Sequence, residues 1–274
     1  MELKGKTAII TGGAMGIGLA TCKRLVQEGC TVTIWDINEK ELSNAKNALE
    51  KIGGKVFTYL CDVTDRKRIL ELVDQAIKDM DRIDILINNA GFVKKGDLLD
   101  QSFDVWDKTI DINLTSMIFI TYQVLPKMYE RNFGHVVNIS SASGLLGVAG
   151  LSVYAASKWA VWGLTESMRF ETMKAGKNIN WTSIHPSYLA KGMFEGAKLN
   201  FLGNLIVPLV KSHDVIAKAI VNDALKKEKY CVRRPRSLRL AIILRGILPD
   251  ILFQKIVLMM GVHKSMNEFK GREN

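Results

Sequence analysis

Short, near-continuously apolar runs, separated by stretches of helical length, restrict the possible folds of this chain more than any other feature. TAIIT (7–11), TVTIWD (31–36), KVFTYLCD (55–62), IDILINNAG (83–91), GHVVNISSASG (134–144) and INWTSIHP (179–186) read as strands. Strands apolar on both faces are covered on both faces. The intervening segments read as helices: GLATCKRLVQEG, then NEKELSNAKNALEKIGG ended by glycines, then DRKRILELVDQAIKDM, and a long one before residue 134. A further helix covers about 152–175. This alternation predicts an α/β fold, a doubly wound parallel sheet in one domain with no linker and no internal repeat. Such sheets bind ligands beyond the carboxyl ends of their strands.

The strand ends carry the candidate chemistry. The first runs into TGGAMGIG, residues 11–18, where Gly12, Gly16 and Gly18 allow a sharp turn and let a pyrophosphate approach the next helix's N-terminus. Met15 and Ile17 belong to the same turn. The second strand ends at Asp36, whose carboxylate suits the hydroxyls of an adenosine ribose and repels a 2′-phosphate. No cation adjoins it, since Ile37 follows, so NAD is expected rather than NADP. Asp62 and Val63 end the third strand, placed for an adenine edge and face. Asn89, Ala90 and Gly91 end the fourth and leave room for a cofactor to pass.

In SVYAASKWAV, Tyr154 and Lys158 stand one helical turn apart and share a face. That pair also occurs by chance in many helices. With the other motifs in this order it resembles the short-chain dehydrogenase/reductase family over roughly residues 5–230: TGxxxGxG at 11–18, Asp62, NNAG at 88–91, Asn113, Ser141 thirteen residues before the tyrosine, and YxxxK at 154–158. The resemblance implies a Rossmann fold and an oxidoreductase. Tyr154 would be the general acid/base, its pKa lowered by Lys158 and the nicotinamide ring. Lys158 would also hold the nicotinamide ribose, Ser141 would donate to the substrate carbonyl, and Asn113 would kink its helix and hold a water. Pro186 is kept from the family's loop after the sixth strand, but Ser187 replaces a glycine and Lys191 stands near the usual threonine.

The segment after Pro186 carries Tyr188, Leu189, Met193, Phe194, Leu199, Phe201, Leu202, Leu205 and Ile206, which suits either a lipophilic alcohol or ketone or plain packing. The main reading is therefore an NAD-dependent dehydrogenase, loosely similar to retinol and 17β-hydroxysteroid dehydrogenases. A 3-oxoacyl thioester reductase and a catalytically silent nucleotide sensor are the alternatives. The resemblance also implies a homodimer or homotetramer, with Trp159, Trp162 and Met168 as contact residues.

Charge is uneven. Residues 226–274 hold 12 Lys/Arg against 4 Asp/Glu, while the net charge of the whole chain is +10. No aromatic platform or recognition motif accompanies the basic tail, so nucleic acid is not an expected partner. Residues 231–274 read as a helical C-terminal extension on a 1–230 domain, too broken by Arg245, Pro249 and Lys255 to span a membrane. It suits either a membrane surface, with arginines at the headgroups, or packing on the body, and packing is the expectation. Four cysteines without metal spacing and an N-terminal apolar run too short for a signal peptide point to the cytoplasm.

Overall fold

Every apolar run becomes a strand, and every pairing is parallel. The computed structural model describes residues 1–271. Its sheet contains β1 (Thr7–Thr11), β2 (Thr31–Asp36), β3 (Val56–Leu60), β4 (Ile85–Asn88), β5 (Gly134–Ile139), β6 (Ile179–Pro186) and β7 (Cys231–Arg234), in the order β3-β2-β1-β4-β5-β6-β7. The order reverses between β1 and β4, which opens a crevice above their carboxyl ends.

Neighbouring residues on β1 serve opposite faces, as the two-residue strand period requires. Ile10 packs with Ile34, Leu25 and Leu49 under α1 (Gly16–Gln27) and α2 (Glu39–Glu50). Ile9 packs with Trp35, Leu72 and Val124 under α3 (Arg66–Met80) and α5 (Ser116–Glu130). Side chains start two of these helices: Asn38 accepts from the Glu41 N–H and Asp65 from the Arg68 N–H. Between α4 (Phe103–Ile110) and α5 the helix widens into a π-turn over Asp111–Thr115, which is the kink expected at Asn113. The long helix α6 runs Ser152–Lys174.

Three strands, β3, β4 and β5, stop earlier than the sequence suggested, and one was missed. β4 ends at Asn88 because the Asn89 and Ala90 N–H groups donate to the Thr11 hydroxyl instead of to a neighbouring strand. β5 ends at Ile139 because Ser141 starts a 3₁₀ turn over Ala142–Gly144. β7 pairs with β6 from Ser183↔Cys231 to Pro186↔Arg234, so the sheet continues past the expected boundary at residue 230. Four residues ending in two arginines give too weak a strand signal to separate from a basic tail. Beyond β7, α9 (Leu238–Ile247) and α10 (Asp250–Met259) form the helical extension; α7 (Phe201–Ile206) and α8 (His213–Ala219) precede it.

Asp84 pins the amino end of β4. Its buried carboxylate accepts from the Thr7 N–H at 3.1 Å, from Arg82 at 3.2 Å and from Arg131 at 2.7 Å. Burial opposes its charge, but Arg131, the Thr7 N–H and Arg82 outweigh burial and hold the carboxyl below its ordinary range. Stability from a depressed carboxyl is present above about pH 4 and is lost as pH falls through the folded-state value. Asp84→Asn is expected to remove about 2 kcal/mol, because two arginines lose their shared acceptor. Urea melts at pH 7 and pH 3 check this: the gap between wild type and variant should shrink in acid.

Candidate active site

Four loops leaving the carboxyl ends of the central strands converge on the crevice. Gly12, at φ +60°, begins the first, and a Cβ there would lie 2.9 Å from Ala90 Cα. Only a glycine lets the β1 and β4 loops approach this closely. Asn89 locks them together by donating to the carbonyls of Thr11 and Gly12 at 2.9 and 2.8 Å. Met15, in extended conformation, precedes the first turn of α1 at Gly16, Ile17 and Gly18, and its side chain makes no cap hydrogen bond. The leading N–H groups of α1 therefore face the crevice as an anion seat.

Asp36 is buried at the end of β2, where its carboxylate accepts from the Ala14 N–H at 3.0 Å and the Asn38 N–H at 3.1 Å. It thus holds the glycine loop as well as facing the nucleotide side, with acceptor sites left for ligand hydroxyls. Asp62 is exposed and bonded to Thr64, while Val63 is buried. With Asn89, Ala90 and Gly91 they form a rim consistent with an adenosine and pyrophosphate lying across the switch point. The residues fit a dinucleotide: a glycine cradle that a Cβ would fill, a helix N-terminus, and an acid at the ribose position.

The second half of the site is built on α6. Tyr154 and Lys158 are both buried, with the ammonium 5.6 Å from the phenol ring centre. Lys158 Nζ donates to the Ile139 carbonyl at 3.0 Å, which ties α6 to the end of β5. Ser141 sits at that same end, where its side chain lowers the pKa of the Tyr154 phenol, and its Oγ accepts from the Ser143 N–H. Ser140, its neighbour, spends its hydroxyl on the Lys158 carbonyl. Asn113, on the π-turn, is fully buried and clamps Phe92 through both main-chain groups, at 2.8 and 2.9 Å, and reaches Ser157 at 3.2 Å. Asn113, Ser141, Tyr154 and Lys158 are thus brought together as the motifs suggested.

The electrostatics differ from expectation. Burial pushes the Tyr154 phenol above its ordinary value, and the Ser141 side chain pulls it only partly back. Burial also pushes the Lys158 ammonium down to about 8. Desolvation of both groups outweighs the lowering expected of Tyr154 from its neighbouring cation. Burial thus favours the neutral phenol.

Above Tyr154 lies an apolar wall. Phe194 meets the Tyr154 ring edge-on at 5.6 Å, and Phe269 meets Phe194 at 6.2 Å. Leu151, Ala197 and Met266 complete the packing, with Tyr188 and Met193 at its border. The substrate segment thus divides. Leu189 goes instead to the sheet core beside Val210, and Leu199 and Ile206 to a small cluster with Leu238. Phe201, Leu202 and Leu205 face solvent. Lys191 is exposed and makes none of the hydrogen bonds seen around Tyr154. Pro186, buried, ends β6.

Residues 262–271 were not legible as part of the site. They fold back on the 188–199 loop through the Tyr188–Ser265 hydroxyl contact at 2.7 Å and the Lys198 N–H to the Ser265 carbonyl at 3.0 Å. The only local signal is the spacing of Val262, Met266 and Phe269, which is helical but points to no particular partner. His185 was also missed. It is buried and neutral, with Nδ1 at 3.2 Å from the Ser141 carbonyl and Nε2 at 3.0 Å from Ser183 Oγ, so it steadies the backbone at Ser141.

Trp159 and Trp162, expected at a subunit contact, both meet arginines of the 231–274 extension, and Trp159 stays partly exposed. Arg245 lies over Trp159 at 4.7 Å and Arg233 over Trp162 at 5.9 Å. Met168 packs against the core on the α5 side of the sheet.

Comparison with known proteins agrees with this geometry. A family model described as short chain dehydrogenase matches residues 6–200. Epidermal retinol dehydrogenase 2 of Mus musculus is 33% identical over 275 residues, covering 99% of this chain and 87% of that protein. Short-chain dehydrogenase/reductase family 16C member 6 of Bos taurus is 32% identical, covering 99% and 85%. The 3-oxoacyl-[acyl-carrier-protein] reductase FabG of Thermotoga maritima is 38% identical over 195 residues, 71% of this chain and 78% of that protein. In fold, a Burkholderia phymatum short chain dehydrogenase/reductase solved in complex with NAD superposes with a TM-score of 0.80 at 23% identity, covering 93% of this chain and 96% of that one. With motif, sheet order and near-full-length relatives in agreement, the chain belongs to the short-chain dehydrogenase/reductase family of oxidoreductases.

Proposed function

We propose that this protein interconverts a lipophilic alcohol and its carbonyl compound using NAD, with Tyr154, Lys158, Ser141 and Asn113 as its working set. One observation carries the reading: the buried Tyr154 lies against an apolar wall of Phe194 and Phe269 and beside Lys158. In the reducing direction Tyr154 gives its proton to the substrate oxygen as negative charge develops there. Ser141 donates a second hydrogen bond to that oxygen. Lys158, near pH 8 in its titration, restores the tyrosine's proton and favours the transient phenolate. Asn113 fixes the Phe92 loop against α6 and holds this alignment. A bound nicotinamide supplies or accepts the hydride. The near-full-length similarity to a retinol dehydrogenase supports a lipophilic substrate.

The 3-oxoacyl reductase reading draws on the FabG likeness, but the aromatic cover of Phe194 and Phe269 suits a hydrocarbon better than a polar thioester arm. A catalytically silent sensor is the remaining alternative, and hydride transfer to any ketone of a broad panel excludes it. As in the family, the proposal includes a homodimer or homotetramer through α5 and α6, where Tyr122, Phe170 and Met173 are exposed.

Turnover of lipid, steroid and sugar alcohols with both cofactors tests the proposal. NAD should be preferred over NADP by more than tenfold in kcat/KM, about 1.4 kcal/mol from ribose contact and phosphate repulsion at Asp36. Asp36→Ala should narrow that ratio. It should also lower stability by about 1 kcal/mol, since the Ala14 and Asn38 N–H groups lose their acceptor. Equal use of both cofactors by the wild type rejects the NAD assignment, and failure on every alcohol rejects the enzyme.

A further inference from the structure

The C-terminal hairpin leaves apolar side chains in solvent that the proposed chemistry does not use. On α9, Leu240, Ile243 and Ile247 stand three and four residues apart and so share one face; Ile247 is 70% exposed. Only part of this helix packs on the body: Leu238 at its start is buried and Ala241, Ile242 and Leu244 are half-buried, while Leu240, Ile243 and Ile247 stay exposed. On α10, Ile251 is 73% exposed, and Leu258 and Met259 lie on the same side, opposite the buried Phe253 and Met260. The neighbouring helix α7 exposes Phe201, at 86%, and Leu205. Asn200 joins α7 to α10 by donating to the Met259 carbonyl at 2.8 Å. Three adjacent helices thus present apolar surface, which a protein with only water around it rarely does.

Cations edge that surface. Arg236 and Arg239 precede Leu240 and Ile243 by four residues each, so they continue the apolar stripe toward the start of α9. They open on a cavity of about 190 Å³ lined also by Lys229, Arg234 and Asp223. Asp223 is committed to Lys229 and Arg234. Neither Arg236 nor Arg239 has an ion-pair partner among the described residues. Arg245, on the other side of α9, donates to the Leu145 carbonyl at 2.7 Å and lies over Trp159, so its guanidinium is engaged with the body although the residue is exposed. Lys255 is exposed on α10, its long stem able to lie along a hydrocarbon surface.

We infer that α9, α10 and α7 form a docking surface for an anionic lipid bilayer. The hairpin lies in the interface with Arg236 and Arg239 among the lipid phosphates and the Leu240–Ile247 stripe at the acyl boundary. Each hairpin helix has 10 residues, about 15 Å of rise, and no described helix is long and apolar enough to cross a membrane. Val148 and Tyr188 border both the hairpin cluster and the wall over Tyr154, so docking brings that wall to the lipid boundary. The docking stands independently of the proposed chemistry.

Sedimentation of the full chain with phosphatidylcholine vesicles, with and without about one-third phosphatidylserine, tests it. Binding to the anionic vesicles should be at least tenfold tighter than to the neutral ones and should be reversed by 1 M salt. The R236Q/R239Q double variant should lose about thirtyfold in affinity for anionic vesicles. I243S/I247S should abolish binding, and turnover of a water-soluble ketone by both variants should stay at the wild-type level. Circular dichroism and a thermal melt confirm that each variant folds. The inference is overturned if the wild type ignores both vesicle types or if R236Q/R239Q binds as the wild type does. It is also overturned if I243S/I247S turns an oligomer into a monomer, by light scattering, without weakening vesicle binding.

Discussion

Tyr154→Phe is expected to cut turnover about a thousandfold while cofactor affinity stays within about twofold. General acid catalysis contributes two to four orders of magnitude, and the proposed mechanism makes this hydroxyl the proton donor. The ring itself is retained, so its edge-on contact with Phe194 at 5.6 Å and the wall over it survive. Ser141, beside it, keeps its bond from the Ser143 N–H, so no buried group is stranded. Stability should therefore be unchanged or slightly higher. Steady-state kinetics with a cofactor titration by fluorescence reads both quantities. Near-normal kcat in this variant would remove Tyr154 from the mechanism.

Lys158→Met is expected to do two things that ordinarily do not go together: abolish turnover and raise stability. Burial pushes the ammonium down to about 8, so below that pH the folded protein carries a charge that it would shed more easily than the unfolded chain does. The unfolded chain binds more protons between about pH 8 and the ordinary lysine value, so stability rises with pH across that window. At pH 7 the penalty is fully present, on the order of 3 kcal/mol. Methionine removes it, along with the bond to the Ile139 carbonyl, which contributes about 1–2 kcal/mol. The net expectation is a stabilisation of about 1–2 kcal/mol at pH 7, shrinking toward pH 10, together with weakened cofactor binding. Thermal melts at the two pH values check it. A variant less stable than wild type at pH 7 would show that the lysine's role is chiefly structural.

Period and punctuation made most of the architecture legible. Runs such as TAIIT and TVTIWD are apolar at consecutive positions, and Ile9 and Ile10 do serve the two faces of one sheet. The TGGAMGIG, NNAG and YxxxK motifs were legible because backbone clearance and helical spacing are local properties. Three kinds of feature were not. β7 is short and paired to β6 across an intervening stretch of more than forty residues, and no local pattern encodes a register. Phe269 and Met266 join the wall over Tyr154 from more than a hundred positions away. The phenol's protonation could not be read from its neighbour's sign, because Lys158 is a cation at any position, while the desolvation that dominates belongs to the folded interior. The direction of Arg245 was hidden for a similar reason: a helical wheel gives an angle, not the Trp159 ring and Leu145 carbonyl that engage its guanidinium.

The cover over Tyr154 also sets a tempo. Only 5% of that residue meets solvent, with Phe194 against its ring and Phe269 of the returning 262–271 segment against Phe194. The segment is held by a few hydrogen bonds and two or three apolar side chains, far less than secures the sheet, so it is among the first parts of the molecule to come loose. If the proposed chemistry under the cover is fast, opening of this segment would set the pace of the cycle, and substrates of quite different reactivity would converge on one ceiling. A molecule organised in this way discriminates at the door, by what can pass and when, as much as at the bench where the proton changes hands.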